Sequence, residues 1–360
     1  MDTTSKAHWL RYGIYAAGLL CAFVFVLVRI RGGAESIIYK QEYFNARDLY
    51  KHNFIEHFRE SHPAFDRPIT GRITPYRETP ANPPLAEADI LIFGDSFMDF
   101  RWLPSFPEIL RDRTGRRVHF NKDYYPLRVL GEAGYRDQPR RVLLYEIGEK
   151  GLAQGFMKPA MNLNVRSPRP EDRPRVEFLK PGEAEQRYTA LLQMSLPTHW
   201  FYRKLATLKF NLLGYISPLT PVYTLEPPTL FFHSTTDQSP TSFFYRHSDK
   251  QLDLICDNIQ RLHDELDRRF NIEMIFLPVP NKITVHHDLV FDHAVYGNLL
   301  PRVFAGLDRR GVPFIDLYTP YAAATNMLYF HSDTHWNEHG IDLAVETTRD
   351  YLERHGWITP

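Results

Sequence analysis

The residues best suited to chemistry in this chain are a serine and, far along the sequence, a histidine with an aspartate two positions before it. Ser96 ends a Gly-Asp-Ser tripeptide that closes the apolar run 90–93, and Asp333 and His335 lie near the end of the chain. A serine hydroxyl becomes a nucleophile when a histidine accepts its proton and a carboxylate fixes the imidazole tautomer. The pattern therefore predicts Ser96 as nucleophile, His335 as base and Asp333 as orienting acid.

Ser96 also has a purely structural interpretation, because Asp-Ser after a strand commonly caps a helix. The tripeptide alone is weak evidence. Joined to an Asp-x-His-Trp segment before a terminal helix, it favours catalysis. The Gly-x-Ser-x-Gly motif of α/β-hydrolases is absent, since Met98 stands at the second glycine position.

Two further groups of polar residues could contact a ligand. Asn281 and Lys282 follow a predicted strand, where substrate could reach them, although a solvated turn is the simpler interpretation. Histidines and aspartates form two clusters that could bind zinc: His286, His287, Asp288, Asp292 and His293, and then His331, Asp333 and His335. Neither cluster has the spacing of an HExxH-like motif, so the sequence predicts no metal, and it indicates no cofactor.

A scaffold for these residues is predicted from residue 88 onward, where candidate strands alternate with candidate helices. The predicted strands are Ile90–Phe93, Val118–Asn121, Val142–Ile147, Ile272–Pro278 and Pro313–Leu317. The predicted helices are Trp102–Thr114, Tyr125–Ala133, Asp249–Phe270, Leu299–Arg310 and Gly340–Arg354. Such alternation predicts an α/β fold with a parallel sheet between two layers of helices. Ser96 then lies at the carboxyl end of the first strand, where ligands bind in open sheets of this class.

The sequence divides into five segments. Residues 1–34 are a candidate membrane anchor, 35–87 a juxtamembrane helix with a proline-rich linker, 88–150 and 248–360 the two halves of the α/β domain, and 151–247 an insertion. The insertion is proline-rich at first and then dense in aromatic residues. We expect its aromatic residues to pack on the α/β domain; a lid or a surface facing a membrane or partner is the alternative.

The N-terminal segment carries no charge from Tyr12 to Val28, and basic residues flank it on both sides. This length, extended by neighbouring apolar residues, favours an uncleaved transmembrane anchor. The alternatives are a buried core helix and a cleaved signal peptide with its site at Gly32-Gly33-Ala34. With an anchor, the following domain is expected on the extracytoplasmic, periplasmic side of the membrane.

Composition narrows the possible partners. The 360 residues include 43 Lys+Arg and 43 Asp+Glu, so no net charge attracts the chain to nucleic acid. Of its two cysteines, Cys21 lies in the apolar N-terminal segment, which leaves Cys256 as the one thiol of the main domain. The domain therefore depends on its hydrophobic core and not on an internal disulfide.

Two motifs together resemble the SGNH (GDSL) hydrolase superfamily: Phe-Gly-Asp-Ser-Phe at 93–97 and Asp-Thr-His-Trp-Asn at 333–337. Tyr-Glu-Ile-Gly-Glu-Lys at 145–150 and Leu-Pro-Val-Pro-Asn-Lys at 277–282 are similar to segments of the SGNH-like O-acetyltransferase domains of alginate acetylation proteins and their relatives. The resemblance covers roughly residues 88–150 and 250–357. It implies a flavodoxin-like α/β/α sandwich with five parallel strands in the order 2-1-3-4-5.

The resemblance also implies roles for individual residues. Ser96, His335 and Asp333 match the nucleophile, the general base and its partner. The backbone around Ser96, at Gly94 and Asp95, would help to form the oxyanion hole.

The chain departs from the superfamily after the third strand. The usual Gly-x-Asn-Asp, whose asparagine donates to the oxyanion, is replaced by Ile147-Gly148-Glu149. Asn121 and Gly148 are the candidate replacement donors, and Lys282 is a candidate substrate contact. The Asp-x-His segment follows the serine, as in simple SGNH hydrolases and unlike the alginate proteins, so alginate itself is not implied.

The function implied by the resemblance is a membrane-anchored, extracytoplasmic O-acyltransferase. An acyl group, most simply acetyl, would pass through an ester on Ser96 to a sugar hydroxyl of a cell-envelope polysaccharide. A separate multispanning membrane acyltransferase would supply the acyl group, because this chain has one span at most. An esterase with the same residues and a non-catalytic glycan-binding scaffold are the alternatives.

Overall fold

The computed structural model describes residues 82–98, 105–135, 139–157, 222–225, 228–290, 296–331 and 334–359, with short helical pieces between 15 and 23 and between 208 and 213. The predicted juxtamembrane helix and most of its linker, much of the anchor and the insertion, and Asp333 lie outside the described residues. Within the described residues, no helix is both long enough and apolar enough to cross a bilayer.

The chain separates into two compact units, and the elements that follow all belong to the unit formed by residues 62–166 and 221–360. Its strands are β1 (Ile90–Phe93), β2 (Val118–Asn121), β3 (Arg141–Gly148), β4 (Val222–Leu225), β5 (Pro228–Phe231) and β6 (Ile272–Val279). Its α-helices are α1 (Phe106–Thr114), α2 (Pro126–Glu132), α3 (Glu149–Phe156), α4 (Asp249–Phe270), α5 (Lys282–His286), α6 (Leu299–Asp308), α7 (Tyr318–Ala322) and α8 (Glu338–Arg354).

The parallel sheet has four strands within the described residues, in the order β2-β1-β3-β6. Five strands were expected in the order 2-1-3-4-5. The first four have the expected order, and the expectation of a fifth strand was wrong. The predicted fifth strand, Pro313–Leu317, is reduced to one parallel bridge between Phe276 and Phe314. The chain turns away soon after this bridge, since the Asp316 side chain accepts the Thr319 N–H at 2.9 Å as α7 begins. A separate antiparallel hairpin joins β4 and β5.

Helices cover both faces of the sheet, as the alternation predicted. Along β1, Ile90 and Ile92 belong to one hydrophobic cluster, and Leu91 and Phe93 belong to the other. Helices α1, α7 and α8 pack in the first cluster, and α2, α3, α4 and α6 pack in the second. Because β1 is buried on both faces, its carboxyl end has a firmly fixed position relative to the helices.

Local signals explain most of the element boundaries. Helix α1 begins after Ser105, which forms a capping box with Glu108, and ends at Gly115, whose φ of 64° is left-handed. Helix α8 begins two residues earlier than predicted because the Asn337 side chain accepts the Gly340 N–H at 3.1 Å. Helix α4 has the predicted bounds, and β3 and β6 each extend at least one residue further than predicted.

Candidate active site

The serine lies in a tight turn, residues 94–98, at the carboxyl end of β1; we call it the nucleophile turn. The Asp95 side chain accepts the Phe97 N–H at 2.8 Å, and the Asp95 carbonyl accepts the Met98 N–H at 3.2 Å. These two bonds close the turn and hold Ser96 in its middle, where the residue is partly exposed. Phe97 and Met98 are buried in the core below.

Ser96 and His335 meet across the site. The Ser96 Oγ lies 2.7 Å from the His335 Nε2, although the two residues are 239 positions apart in the chain. A neutral imidazole can accept the hydroxyl proton at Nε2 when its own proton sits on Nδ1. The distance suits the predicted roles of Ser96 as nucleophile and His335 as base, and the roles themselves stay predictions. Asp333, the predicted orienting acid, lies outside the described residues.

His335 lies where residues 334–337 run antiparallel to residues 328–331; we call these two stretches the histidine hairpin. An antiparallel bridge joins Tyr329 to Trp336, and the His335 carbonyl accepts the Phe330 N–H at 3.1 Å. The Leu328 carbonyl accepts the Asn337 N–H at 2.9 Å, which closes the hairpin where α8 begins. The hairpin therefore fixes the direction in which His335 projects.

Helix α5 holds the histidine hairpin through side chains that the sequence did not single out for this purpose. The Lys282 Nζ donates to the carbonyls of Phe330 at 2.6 Å and His331 at 2.9 Å, and its side chain is buried. His286 accepts the Leu328 N–H at Nε2, at 3.2 Å. Burial, reinforced by the positive charge of Lys282, lowers the pKa of His286 to about 4, so the ring stays neutral and remains an acceptor.

The interpretation of Asn281 and Lys282 as a solvated turn was wrong, since both residues are buried. A Lys282 ammonium within the protein needs acceptors, and the hairpin carbonyls provide them. The residue supports the histidine hairpin in the structure; its assignment as a substrate contact stays a prediction.

Aromatic rings join the nucleophile turn to the histidine hairpin. The Phe97 ring lies with its centroid 5.1 Å from that of His335 and 5.3 Å from that of Trp336. Trp336 is fully buried and stacks on Phe106 of α1 at 5.9 Å. Each Phe–Trp pair contributes about 0.5–1.5 kcal/mol beyond its buried area. Through these rings the two halves of the site belong to one hydrophobic cluster.

The segments 145–150 and 277–282, which resemble the acetyltransferase domains, also contact each other. Glu149 is buried, and its carboxyl group accepts hydrogen bonds from the Asn281 N–H at 2.8 Å, the Thr284 hydroxyl at 2.6 Å and the Tyr296 hydroxyl at 2.5 Å. Burial raises the pKa of Glu149, while these donors oppose the rise. Glu149 thereby ties the start of α3 to the start of α5, next to the support for the histidine hairpin.

Two residues of the site were missed by the sequence analysis. The Asp95 N–H donates to the Glu146 Oε2 at 2.8 Å, and the Tyr124 hydroxyl donates to the Asp95 Oδ2 at 2.9 Å. Glu146 is fully buried; burial, with the negative charge of Asp95 second, raises its pKa well above the ordinary value. A signal was available for Glu146, because an acid inside the apolar run 142–147 demands a partner.

The predicted oxyanion donors have different surroundings. Among the described residues, the Ser96 N–H has no hydrogen-bond acceptor, whereas those of Asp95, Phe97 and Met98 each have one. Gly148 lies beside the nucleophile turn, since a Cβ placed on it would be 3.5 Å from the Phe97 ring. The Asn121 carbonyl accepts the Gly94 N–H at 3.3 Å. The Ser96 N–H is therefore the best placed donor, and the roles of Gly94, Asp95, Asn121 and Gly148 stay predictions.

The two histidine and aspartate clusters do not form a metal site within the part of the chain that is described, where no three potential ligands converge. His286 bonds to the Leu328 N–H instead, and the His331 Nδ1 lies 2.9 Å from the Thr229 hydroxyl on β5. Asp292, His293 and Asp333 lie outside the described residues.

Comparison with known proteins agrees with the sequence motifs over the last part of the chain. Residues 234–358, roughly a third of the chain, match the family described as SGNH hydrolase-like domain, acetyltransferase AlgX. A search of curated proteins gave no match. The resemblance stated from the motifs is confirmed over this segment, which includes His335 and Lys282 but not Ser96. The match supports an acetyltransferase-like or esterase-like role.

Proposed function

We propose that this protein is an SGNH-like O-acyltransferase in which Ser96 carries the acyl group. The observation that carries the proposal is the 2.7 Å contact between the Ser96 Oγ and the His335 Nε2. Removal of the hydroxyl proton by His335 makes Ser96 nucleophilic, and Asp333 two positions earlier would hold the imidazole in the required tautomer.

The reaction has two steps. In the first, the Ser96 Oγ bonds to the acyl carbonyl carbon, its proton passes to the His335 Nε2, and the leaving group of the donor departs with that proton. In the second, a sugar hydroxyl attacks the ester, gives its proton to His335, and the Ser96 Oγ leaves and takes the proton back. The Ser96 N–H, whose neighbours at 95, 97 and 98 already have acceptors, would stabilise the oxyanion of each tetrahedral intermediate.

The acceptor that we propose is a hydroxyl of a cell-envelope polysaccharide, and the acyl group is acetyl. The support is the match of residues 234–358 to an acetyltransferase domain, together with the family-like segments at 145–150 and 277–282. The apolar segment from Tyr12 to Val28 would anchor the chain in the cytoplasmic membrane, with the α/β domain on the periplasmic side. A separate multispanning membrane acyltransferase would deliver the acyl group.

Hydrolysis is the second candidate, because Ser96 and His335 are both partly exposed and water can reach them. Transferase and esterase differ in whether a sugar or water attacks the acyl-enzyme. We would incubate the full chain in detergent with an activated acetyl ester, with and without a cell-envelope oligosaccharide, and use Ser96→Ala as the control.

The proposal expects acetylated oligosaccharide from the wild type and none from Ser96→Ala. Acetate as the sole product, with and without oligosaccharide, would establish the esterase instead. Absence of any Ser96-dependent product from a folded sample would favour the non-catalytic glycan-binding scaffold.

A further inference from the structure

Strand β3 carries a carboxylic acid inside an apolar run, and no step of the proposed reaction uses it. Glu146 is fully buried, and the four residues before it, Val142 to Tyr145, are buried hydrophobic side chains. An acid at such a position is costly to bury, so we expect it to make a specific contact.

The contact of Glu146 is with the nucleophile turn. Its Oε2 accepts the Asp95 N–H at 2.8 Å, and Asp95 directly precedes Ser96. Its Oε1 is buried and has no hydrogen-bond partner among the described residues. The acid therefore reaches the turn from its buried side and does not face the surface from which a substrate would approach.

The fit between Gly94 and Glu146 is close. A Cβ added to Gly94 would lie 2.4 Å from the Glu146 Oε2 and 2.9 Å from the Glu146 Cβ. The φ of Gly94 is not in the left-handed region, so backbone freedom does not explain this glycine. The absence of a side chain at residue 94 is what lets the carboxyl group reach the Asp95 N–H.

We propose that Glu146 is a positioning residue, whose buried carboxyl group holds the Asp95 N–H and thereby orients Ser96 toward His335. This inference rests on the proposed function. With the Asp95, Phe97 and Met98 N–H groups each bound to an acceptor, the Ser96 N–H remains for the oxyanion. The SGNH hydrolases that this chain resembles have an asparagine after the third strand that donates to the oxyanion. In this chain an acid on the third strand instead fixes the turn that presents the Ser96 N–H.

The arrangement does not require Glu146 to be ionised. Burial and the adjacent Asp95 charge raise the pKa of Glu146, and the groups facing it are Asp95 on the nucleophile turn, Tyr124 after β2 and Tyr145 on β3. A neutral carboxyl group still accepts an N–H through its carbonyl oxygen. An amide offers the same acceptor, so glutamine should replace the acid in this role.

The test is the rate at which a fluorophosphonate labels Ser96. In this reaction the Ser96 Oγ bonds to phosphorus, fluoride leaves, and the hydroxyl proton passes to His335. We expect Glu146→Gln to react within about threefold of the wild type and Glu146→Leu about 10- to 100-fold more slowly, because a small misplacement of a nucleophile has effects of this size. With an acetyl ester, kcat should fall in Glu146→Leu and KM should change little.

Controls separate positioning from general destabilisation. Leu266→Ala lowers stability from a buried site on α4, in the core cluster on the other face of the sheet from Phe97 and Met98, and should label at the wild-type rate. If Glu146→Leu fails to fold, Gly94→Ala serves in its place, since its methyl group displaces the same carboxyl group and should slow labelling similarly.

Two results would overturn the role of Glu146 and leave the proposed function intact. One is a wild-type labelling rate in Glu146→Leu or Gly94→Ala, and the other is a Glu146→Gln variant as slow as Glu146→Leu. A folded wild type that is not labelled at Ser96 would instead overturn the proposed function, and the inference with it.

Discussion

At the residue scale, the proposed chemistry depends on how the Ser96 hydroxyl is held. The 2.7 Å contact to His335 gives it a proton acceptor, and the bond from Asp95 to Glu146 fixes the backbone beside it. Neither partner is near Ser96 in sequence. The proposed reactivity of this serine therefore depends on the folded chain, and it should respond to changes at distant positions.

Replacing His335 by alanine should lower acetyl ester turnover by about 10²–10⁴-fold, because a general base contributes an effect of this size. The thermal unfolding midpoint should change little, since the His335 side chain is partly exposed. The matched control is His355→Ala, a histidine past the other end of α8 whose ring stacks on Tyr351 at 4.0 Å. Equal turnover in the two variants would contradict the assignment of His335 as base.

Glu146 predicts a pH dependence of stability. Its pKa is raised well above the ordinary 4.5 in the folded state, so the folded chain keeps a proton that the unfolded chain releases. The stabilisation from the protonated acid is complete below about pH 4.5 and is lost as the pH rises through the raised pKa. In urea denaturation, the free energy of unfolding of Glu146→Gln should therefore increase relative to that of the wild type from acidic to mildly alkaline pH. A constant difference across this range would show that Glu146 has an ordinary pKa.

The residues that could be predicted at this scale are those with a sequence pattern of their own. Ser96 and His335 stand in short motifs, and the structure brings the two side chains together. Tyr124 has no such motif, and Glu146, although it lies in the segment 145–150, had no role assigned to it. Both contact Asp95. The pairing of β1 with β3 brings Glu146 to it, and the pairing of β1 with β2 brings Tyr124 to it.

At the scale of elements, the histidine hairpin and helix α5 form one unit. Lys282 donates to two carbonyls of the hairpin, and His286 accepts one of its N–H groups. The position of His335 therefore depends on a lysine that acts through the backbone of the hairpin.

Lys282→Met should lower both stability and turnover. Methionine keeps most of the buried volume but leaves the carbonyls of Phe330 and His331 without this donor, at a cost of about 1–3 kcal/mol per buried unsatisfied group. The free energy of unfolding and kcat for an acetyl ester should both fall, because the hairpin that carries His335 loses its support.

The matched control is Lys250→Met, which alters an exposed lysine on α4 and should change neither quantity. Should Lys282→Met retain the kcat of Lys250→Met, the hairpin would not depend on Lys282 for the position of His335.

Hydrophobic periodicity predicted where helices and strands occur better than it predicted which strands pair in the sheet. Helix α4 has the predicted bounds because its capping box at Ser248 and its left-handed C-cap at Asn271 are both local signals. The predicted fifth strand was wrong. Pro313–Leu317 has strand-like composition, yet Asp316 within it starts a turn, and the pairing ends after one bridge. Whether a short apolar run pairs along its length is decided by such tertiary contacts.

At the scale of the whole molecule, the sequence could predict a parallel sheet with helices on both faces, because strands and helices alternate along the chain. The compactness of the α/β unit follows from two hydrophobic clusters, one on each side of the sheet. Glu149 bonds to the start of α5, and Lys282 on α5 bonds to the histidine hairpin. These contacts depend on the spatial order of the strands, so neither could be predicted from one segment alone.

The proposed membrane anchor predicts the location of the full chain in cells. The wild type should sediment with membranes and resist a high-salt wash, because burial of an apolar helix is not weakened by ionic strength. Deletion of residues 12–28 should release the chain into the soluble fraction. Wild-type protein found in the soluble fraction, or removed from membranes by salt, would contradict an anchor in this segment.

The most direct test of the central claim is to locate the acyl group on the enzyme itself. Full-length protein would be mixed with an activated acetyl ester, quenched in acid and digested, and its peptides would be mapped by mass spectrometry. The account predicts a single acetyl ester on the peptide that contains Ser96, absent in Ser96→Ala and strongly reduced in His335→Ala. Turnover of the ester with no acetyl group on Ser96, or with the group on another residue, would contradict it.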